Sequence, residues 1–150
     1  MKNLKIQYID PRLGNEFPLP QFSTPGSAGL DLIACHENIF TLEPDQVELI
    51  PSGIAIHIDN PLYAACIVPR SGLGHKKGLI LGNTLGLIDS DYQGMIQISC
   101  WNRSKDPITI VPGTRIAQLM FVNVAQPELV PVNSFEKTQR ADNGFGSTGI

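Results

Sequence analysis

Five short stretches of the chain carry residues with chemical potential. Pro69-Arg70-Ser71-Gly72-Leu73-Gly74 sets a guanidinium, a hydroxyl and glycine-freed amides in succession. Phosphate oxygens require that set: a bidentate cation, a neutral donor and a backbone that can approach closely. Gly86-Leu87-Ile88-Asp89-Ser90-Asp91-Tyr92-Gln93-Gly94 packs two acids and a tyrosine between two apolar runs. Its tip is either a rigidly held, accessible place for binding and catalytic groups or an ordinary polar turn. Ala28-Gly29-Leu30-Asp31-Leu32 puts one acid in an apolar strand. Asp31 is there either as a buried carboxylate satisfied by an arginine or by backbone amides, or as a member of a site. Gly113-Thr114-Arg115-Ile116-Ala117-Gln118-Leu119 adds Arg115 and Gln118 as polar exceptions in an apolar run. Near the end, Arg140 and Phe145 sit in a glycine-rich stretch too polar to fold by itself. Such an arm is equipped to close over a ligand that has both phosphate and a planar ring; a plain disordered tail is the alternative.

The elements that must position these groups read as strands. Leu4 to Tyr8 alternates and stops at Asp10-Pro11, and residues 16–27 hold too many prolines to donate regularly to a central ladder. Gln46 to Ile50 and Ile54 to Ile58 read as two strands separated by a Pro51-Ser52-Gly53 turn, with His57 facing solvent. Leu62 to Val68 continues the pattern, and residues 69–78 interrupt it with one short helical turn ending in a solvated His75-Lys76-Lys77 cluster. Leu79 to Leu85 and Met95 to Trp101 then flank Gly86 to Gly94 as the arms of a tight hairpin. Pro107 to Val111 and Ile116 to Val124 give two more strands around Pro112-Gly113. The expectation is a single all-β domain over residues 1–150, with about 134–150 as a mobile arm.

Composition bounds what such a domain does. Gly (14) and Pro (12) are spread along the 150 residues and leave little room for long helices. A chain of this size buries about two thirds of its unfolded surface without metal or disulfide staples. The net charge of −3 and pI near 5.5 argue against a nucleic-acid-coating surface, while local cations can still hold a small anion. Cys35, Cys66 and Cys100 are odd in number and set in apolar runs, which reads as buried reduced thiols. His36, His57 and His75 fit no zinc spacing. The N-terminus has no signal-peptide core and no run of about 18 apolar residues occurs, so a cytoplasmic, membrane-free protein is expected.

Taken in order, the five stretches resemble the trimeric all-β deoxyuridine triphosphate nucleotidohydrolases, the dUTPases. The likeness covers essentially the whole chain, and Asp10-Pro11-Arg12 and Phe17-Pro18-Leu19-Pro20 are similar to bacterial members. The resemblance implies a jelly-roll-like distorted β-barrel of the β-clip type with at most one short helix. It also implies a homotrimer with active sites between subunits, and hydrolysis of dUTP to dUMP and pyrophosphate. That reaction supplies dUMP for thymidylate synthesis and keeps uracil out of DNA.

By the same resemblance Asp89 is the general base that activates water for in-line attack on the α-phosphorus. Arg70, Ser71 and Gly72 bind and polarise the phosphates, and Gln118 helps fix the triphosphate or the water. Asn83 and the backbone of Leu87, Ile88 and Asp89 read the uracil edge, and Tyr92 lies where a ribose 2′-hydroxyl would go. Gln97 also lines the site, Arg140 pairs with the γ-phosphate, and Phe145 stacks on uracil. Mg²⁺ bridges phosphate oxygens and is completed by water, with no direct protein ligand. Asp31 keeps an indirect or structural part. Two rivals share features of this pattern. A dCTP deaminase of the same fold needs an acid on the strand after the hairpin, and Met95 to Trp101 has none, with Ser99 about where that acid would stand. A catalytically silent nucleotide-binding β trimer would have no use for Asp89 and Gln118.

Overall fold

In the computed structural model, which describes residues 3–138, ten strands and one short helix follow one another. They are β1 (Lys5–Tyr8), β2 (Gly29–Ile33), β3 (Phe40–Leu42), β4 (Val47–His57), β5 (Tyr63–Pro69), α1 (Ser71–Lys76), β6 (Leu79–Leu81), β7 (Gly86–Ile88), β8 (Met95–Asn102), β9 (Ile108–Ile110) and β10 (Arg115–Asn123). Two four-stranded sheets run β1-β4-β8-β6 and β2-β10-β5-β7, and β3 and β9 form a two-stranded ribbon. Every strand pairing is antiparallel.

The alternation of the strands explains how the two sheets share one core. Ile96, Ile98 and Cys100 point inward from β8, and Ile50, Ile54 and Ile56 join them from β4. The opposite sheet contributes Leu30, Leu32, Ala65, Ile67, Ala117 and Leu119 to the same cluster. Burying a branched aliphatic chain stabilises by about 1.5–3 kcal/mol, so this shared interior dominates the fold's stability. Asn102 is fully buried with it. Its Nδ2 donates to Leu42 O (2.9 Å) and Asp106 O (2.8 Å), while its Oδ1 accepts from the amide (2.9 Å) and hydroxyl (2.7 Å) of Ser104. One satisfied amide thus ties the end of β8 to the β3–β9 ribbon.

Two expectations about the strands are corrected. Pro51-Ser52-Gly53 is not a turn between strands: β4 runs straight through it, with a bulge where the register against β8 shifts between Pro51 and Ala55. Proline lacks a ladder donor and is tolerated at such a bulge. Gly53 has φ +75°, and a Cβ there would lie 2.6 Å from Cys35 Sγ and 2.9 Å from Asp10 Cβ. Only glycine fits both the angle and the space, and its carbonyl accepts from the amides of Ile9 and Asp10.

Nor is Gly86 to Gly94 a tight hairpin. β6 and β8 do pair, with Leu81 opposite Cys100, but the chain between them crosses to the other sheet. There β7 adds itself to β5, with Ile67 opposite Gly86 and Ala65 opposite Ile88. Period-two alternation marks a strand but does not choose its partner, which is why the flanking runs looked like two arms of one turn.

The remaining pattern holds. α1 is the one short helix among the described residues, with His75 and Lys76 exposed in its last turn. All three cysteines are free and buried. Burial pushes the Cys35 thiol up to about 11, with the Asp10 carboxylate adding to it, and burial pushes Cys100 up to about 12. Neither is a ready nucleophile at neutral pH. No helix among the described residues is long and apolar enough to cross a membrane.

Candidate active site

The phosphate-type residues gather at the end of β5. Arg70 caps α1 in an extended conformation (φ −78°, ψ 130°), so the first-turn amides that follow have no helical acceptor. Arg70 Nε meets Asp31 Oδ1 at 3.0 Å, and Arg115 Nη1 meets Asp31 Oδ2 at 3.2 Å. The Asp31 side chain is only 18% exposed, and two arginines balance the desolvation of its charge. Of the two readings open for Asp31, the satisfied carboxylate is the one present. It also sits inside the cleft, where it fixes the direction of both guanidinium planes.

Gln118 follows from the register of β10, which places it between Asp31 of β2 and Val68 of β5. Its Nε2 donates to Pro69 O at 3.3 Å. Its side chain lies so close over Gly29 that a Cβ there would come within 2.8 Å of Gln118 Oε1. Gly29 is therefore the space that lets Gln118 lie across β2. Together with Ser27, Ala28, Ser71, Gly72 and Leu73, these groups line a cleft of about 370 Å³. Its donors are the Arg70 guanidinium, the hydroxyls of Ser23, Ser27 and Ser71, the Gln118 amide and the start of α1, which suits an anion; Arg115 holds Asp31 from outside this cleft.

Asp89 is somewhere else. It lies exposed just beyond β7, in a second cleft of about 600 Å³ walled by His57, Asp59, Asn60, Tyr63 and Ser90. The β5–β7 register measures the separation. Continued by one residue past the Ala65–Ile88 pair, it sets Asp89 beside Ala64, whereas Arg70, just past the other end of β5, stands six residues further along the chain. At about 3.3 Å per residue, the base and the phosphate arginine of one chain are about 20 Å apart.

The rest of the Gly86 to Gly94 stretch is arranged around an open edge. Among the described residues β7 is the last strand of its sheet, so one side of its backbone faces no partner strand there, and Leu87 is exposed beside it. Ile88 is half-buried, and Asn83 is exposed in the turn before β7. Tyr92 Oη donates to Met95 O at 3.2 Å. The tyrosine ring folds over Gly94 so tightly that an alanine Cβ would strike its Oη and come within 2.7 Å of Cζ. Gly94 thereby sets where the phenol ring stands. Gln97 is on the outward face of β8, opposite Pro51, and lines neither cleft. Arg140 and Phe145 lie outside the described residues.

Three members of these sites escaped sequence reasoning. Arg115 was visible only as a polar exception, although it is the second partner of Asp31. Asp59 and His57 wall the Asp89 cleft, and His57, expected to face solvent, is half-buried with its side chain 27% exposed and lies 3.4 Å from the Gln93 amide nitrogen. No local signal pointed to them, because Asp59 and His57 meet the Asp89 turn only through the crossing of β7.

A dUTPase family model matches residues 15–149. A deoxyuridine 5'-triphosphate nucleotidohydrolase from Photorhabdus laumondii is 56% identical over 149 residues, covering 99% of this chain and 98% of that protein. The one from Escherichia coli O9:H4 is 54% identical over 149 residues, covering 99% of both. Among solved structures, a Staphylococcus bacteriophage 80alpha dUTPase with dUPNHPP superposes with a TM-score of 0.83 at 25% identity, covering 100% of each chain.

Proposed function

This chain belongs to the dUTPase family, and we propose that it builds each active site from the Asp89 cleft of one copy and the Arg70 cleft of another, in a homotrimer. It is a dUTP diphosphatase, hydrolysing dUTP to dUMP and pyrophosphate. The observation that carries the intersubunit reading is the separation of about 20 Å along the β5–β7 ladder. A general base must come within hydrogen-bond reach of the water it activates, and that water must stand in line with a phosphorus held by the arginine. No single copy meets both conditions; two copies meeting edge to cleft do.

In this reading Asp89 takes a proton from water attacking the α-phosphorus, and the electron pair of the breaking bond leaves with pyrophosphate. Arg70, Ser71 and Gly72 hold the phosphate oxygens, with the guanidinium already aimed by Asp31. Gln118, steadied by Pro69 O, fixes the triphosphate or the water. The open backbone edge of Leu87 and Ile88, with Asp89 and Asn83, reads uracil, and the Tyr92 ring over Gly94 bars a 2′-hydroxyl. Gln97, which faces neither cleft of its own chain, serves the site of a neighbouring copy. Arg140 and Phe145 supply the γ-phosphate contact and the ring that covers uracil.

dUTPases as a family depend on a metal ion, and Mg²⁺ fits this donor set as an ion carried by the substrate. Both oxygens of Asp31 are engaged by arginines, and no group of three His, Cys, Asp or Glu among the described residues is placed to hold an ion. When bound, Mg²⁺ neutralises triphosphate charge and fixes its conformation.

The test is direct. Incubation with dUTP and Mg²⁺ releases pyrophosphate, and dCTP yields no ammonia. Ammonia from dCTP would favour the deaminase of the same fold, and neither product would favour a binding trimer.

A further inference from the structure

The residues that hold the Asp89 turn in place come from parts of the chain that the reaction itself does not use. Asp59 N donates to Ser90 O at 3.0 Å, one residue past Asp89. On the far side of the turn, the Gln93 amide nitrogen lies 3.4 Å from His57 Nε2. Within the turn, the bond from Tyr92 N to Asp89 O is long, at 3.3 Å. The Asp59–Ser90 bond is the shortest of these ties; the His57–Gln93 contact, at 3.4 Å, and the Tyr92 Oη bond to Met95 O, at 3.2 Å, are longer.

The Asp59 backbone is left-handed, with φ +57°, at the point where its amide reaches Ser90 and the chain turns away from β4. Aspartate, asparagine and glycine accept that conformation, whereas β-branched residues resist it. The Asp59 carboxylate also pairs with Lys5 Nζ at 2.5 Å and lies 3.8 Å from His57 Nε2, and β1 places Lys5 directly opposite His57. That pair is exposed on both sides, 69% for Lys5 and 55% for Asp59, so its contribution to holding the turn is small. What matters at residue 59 is a backbone that can turn left.

We propose that Asp59 is the positioning residue for the general base, acting through its left-handed backbone and its amide bond to Ser90. The inference rests on Asp89 being the base. Displacing a positioned catalytic group by as little as about 1 Å costs as much as about 10²-fold in rate. A turn released at one of its two outer ties moves less than one released at both. Asp59→Val therefore lowers kcat about tenfold and leaves KM within about twofold. Asp59→Gly, which keeps the left-handed backbone and loses the carboxylate, recovers most of that rate, and Asp59→Asn does the same.

The closing experiment is a double-mutant cycle on the full-length enzyme with dUTP and Mg²⁺, combining Asp59→Val with Asp89→Asn. If Asp59 acts through Asp89, the Val substitution costs nothing further once the base is gone. Equal kcat for the Val and Gly variants would overturn the proposal, as would a Val effect confined to KM or one that persists undiminished in the Asp89→Asn background. Should Asp59→Val fail to fold, Asp59→Ala carries the same comparison with glycine at a smaller expected loss. Wild-type turnover by Asp89→Asn alone would instead remove the base assignment, a separate outcome readable from the same set of proteins.

Discussion

Asp89→Asn is expected to lower kcat by about 10²- to 10⁴-fold while dUTP still binds, because positioned general-base catalysis contributes about that much. The amide keeps the shape of the carboxylate and its place beyond β7 but cannot accept the proton of the attacking water. Binding is expected to hold or tighten slightly, since one negative charge facing the triphosphate is gone. Asp89 is exposed and packs into no core, so the thermal midpoint should not move. Steady-state kinetics alongside equilibrium binding of a non-hydrolysable dUTP analogue checks both halves. A variant that turns over near the wild-type rate would leave the site without its base.

The second large effect is expected from Arg70→Ala. Its guanidinium is aimed into the phosphate cleft by Asp31 and joined to Arg115 O by a long bond at 3.4 Å. Losing one charged donor to a developing phosphate charge costs about 10²- to 10³-fold in rate. kcat/KM should therefore fall by at least about 10²-fold, with KM rising as well because the ground-state triphosphate loses the same contact. Asp31 retains Arg115 as a partner, so the carboxylate is not left uncompensated and the protein should still fold. A thermal midpoint within about 4 °C of wild type is the matching expectation. A normal KM would remove Arg70 from the phosphate contacts.

Much of this was legible in the sequence, and the reason differs residue by residue. Arg70, Ser71 and Gly72 announce phosphate chemistry because the donor types stand next to one another, and the structure keeps them together at the start of α1. Gln118 stood out as a polar residue in an apolar strand. Its neighbours did not, since the Gln118–Gly29 contact depends on the β2–β10 register. The nature of Asp31 was open until its two arginines were seen, one of them 84 residues away in sequence. Alternation identified most strands, but it missed the three-residue β3 and β7 and broke β4 at a bulge that proline and glycine imitate as a turn.

The largest error and the most informative feature are the same one. The Gly86 to Gly94 stretch reads as a hairpin because apolar runs flank it, yet β7 leaves for the other sheet. That crossing is what carries Asp89 to the end of β5 remote from Arg70. It also brings the turn against Asp59 and His57, residues whose sequence context pointed nowhere. Strand identity is a local property of the chain, whereas partner choice is set by the whole core.

The central claim is that base and phosphate arginine act together across copies of the chain, and mixing two inactive variants measures it most directly. Asp89→Asn and Arg70→Ala, unfolded together in equal amounts and refolded, reassort at random into trimers. Each interface then has about one chance in four of pairing an intact Asp89 turn with an intact Arg70 cleft, so about a quarter of wild-type activity should return. Activity no greater than the average of the two variants alone would contradict the account, because it would mean that each chain must supply both groups to its own site.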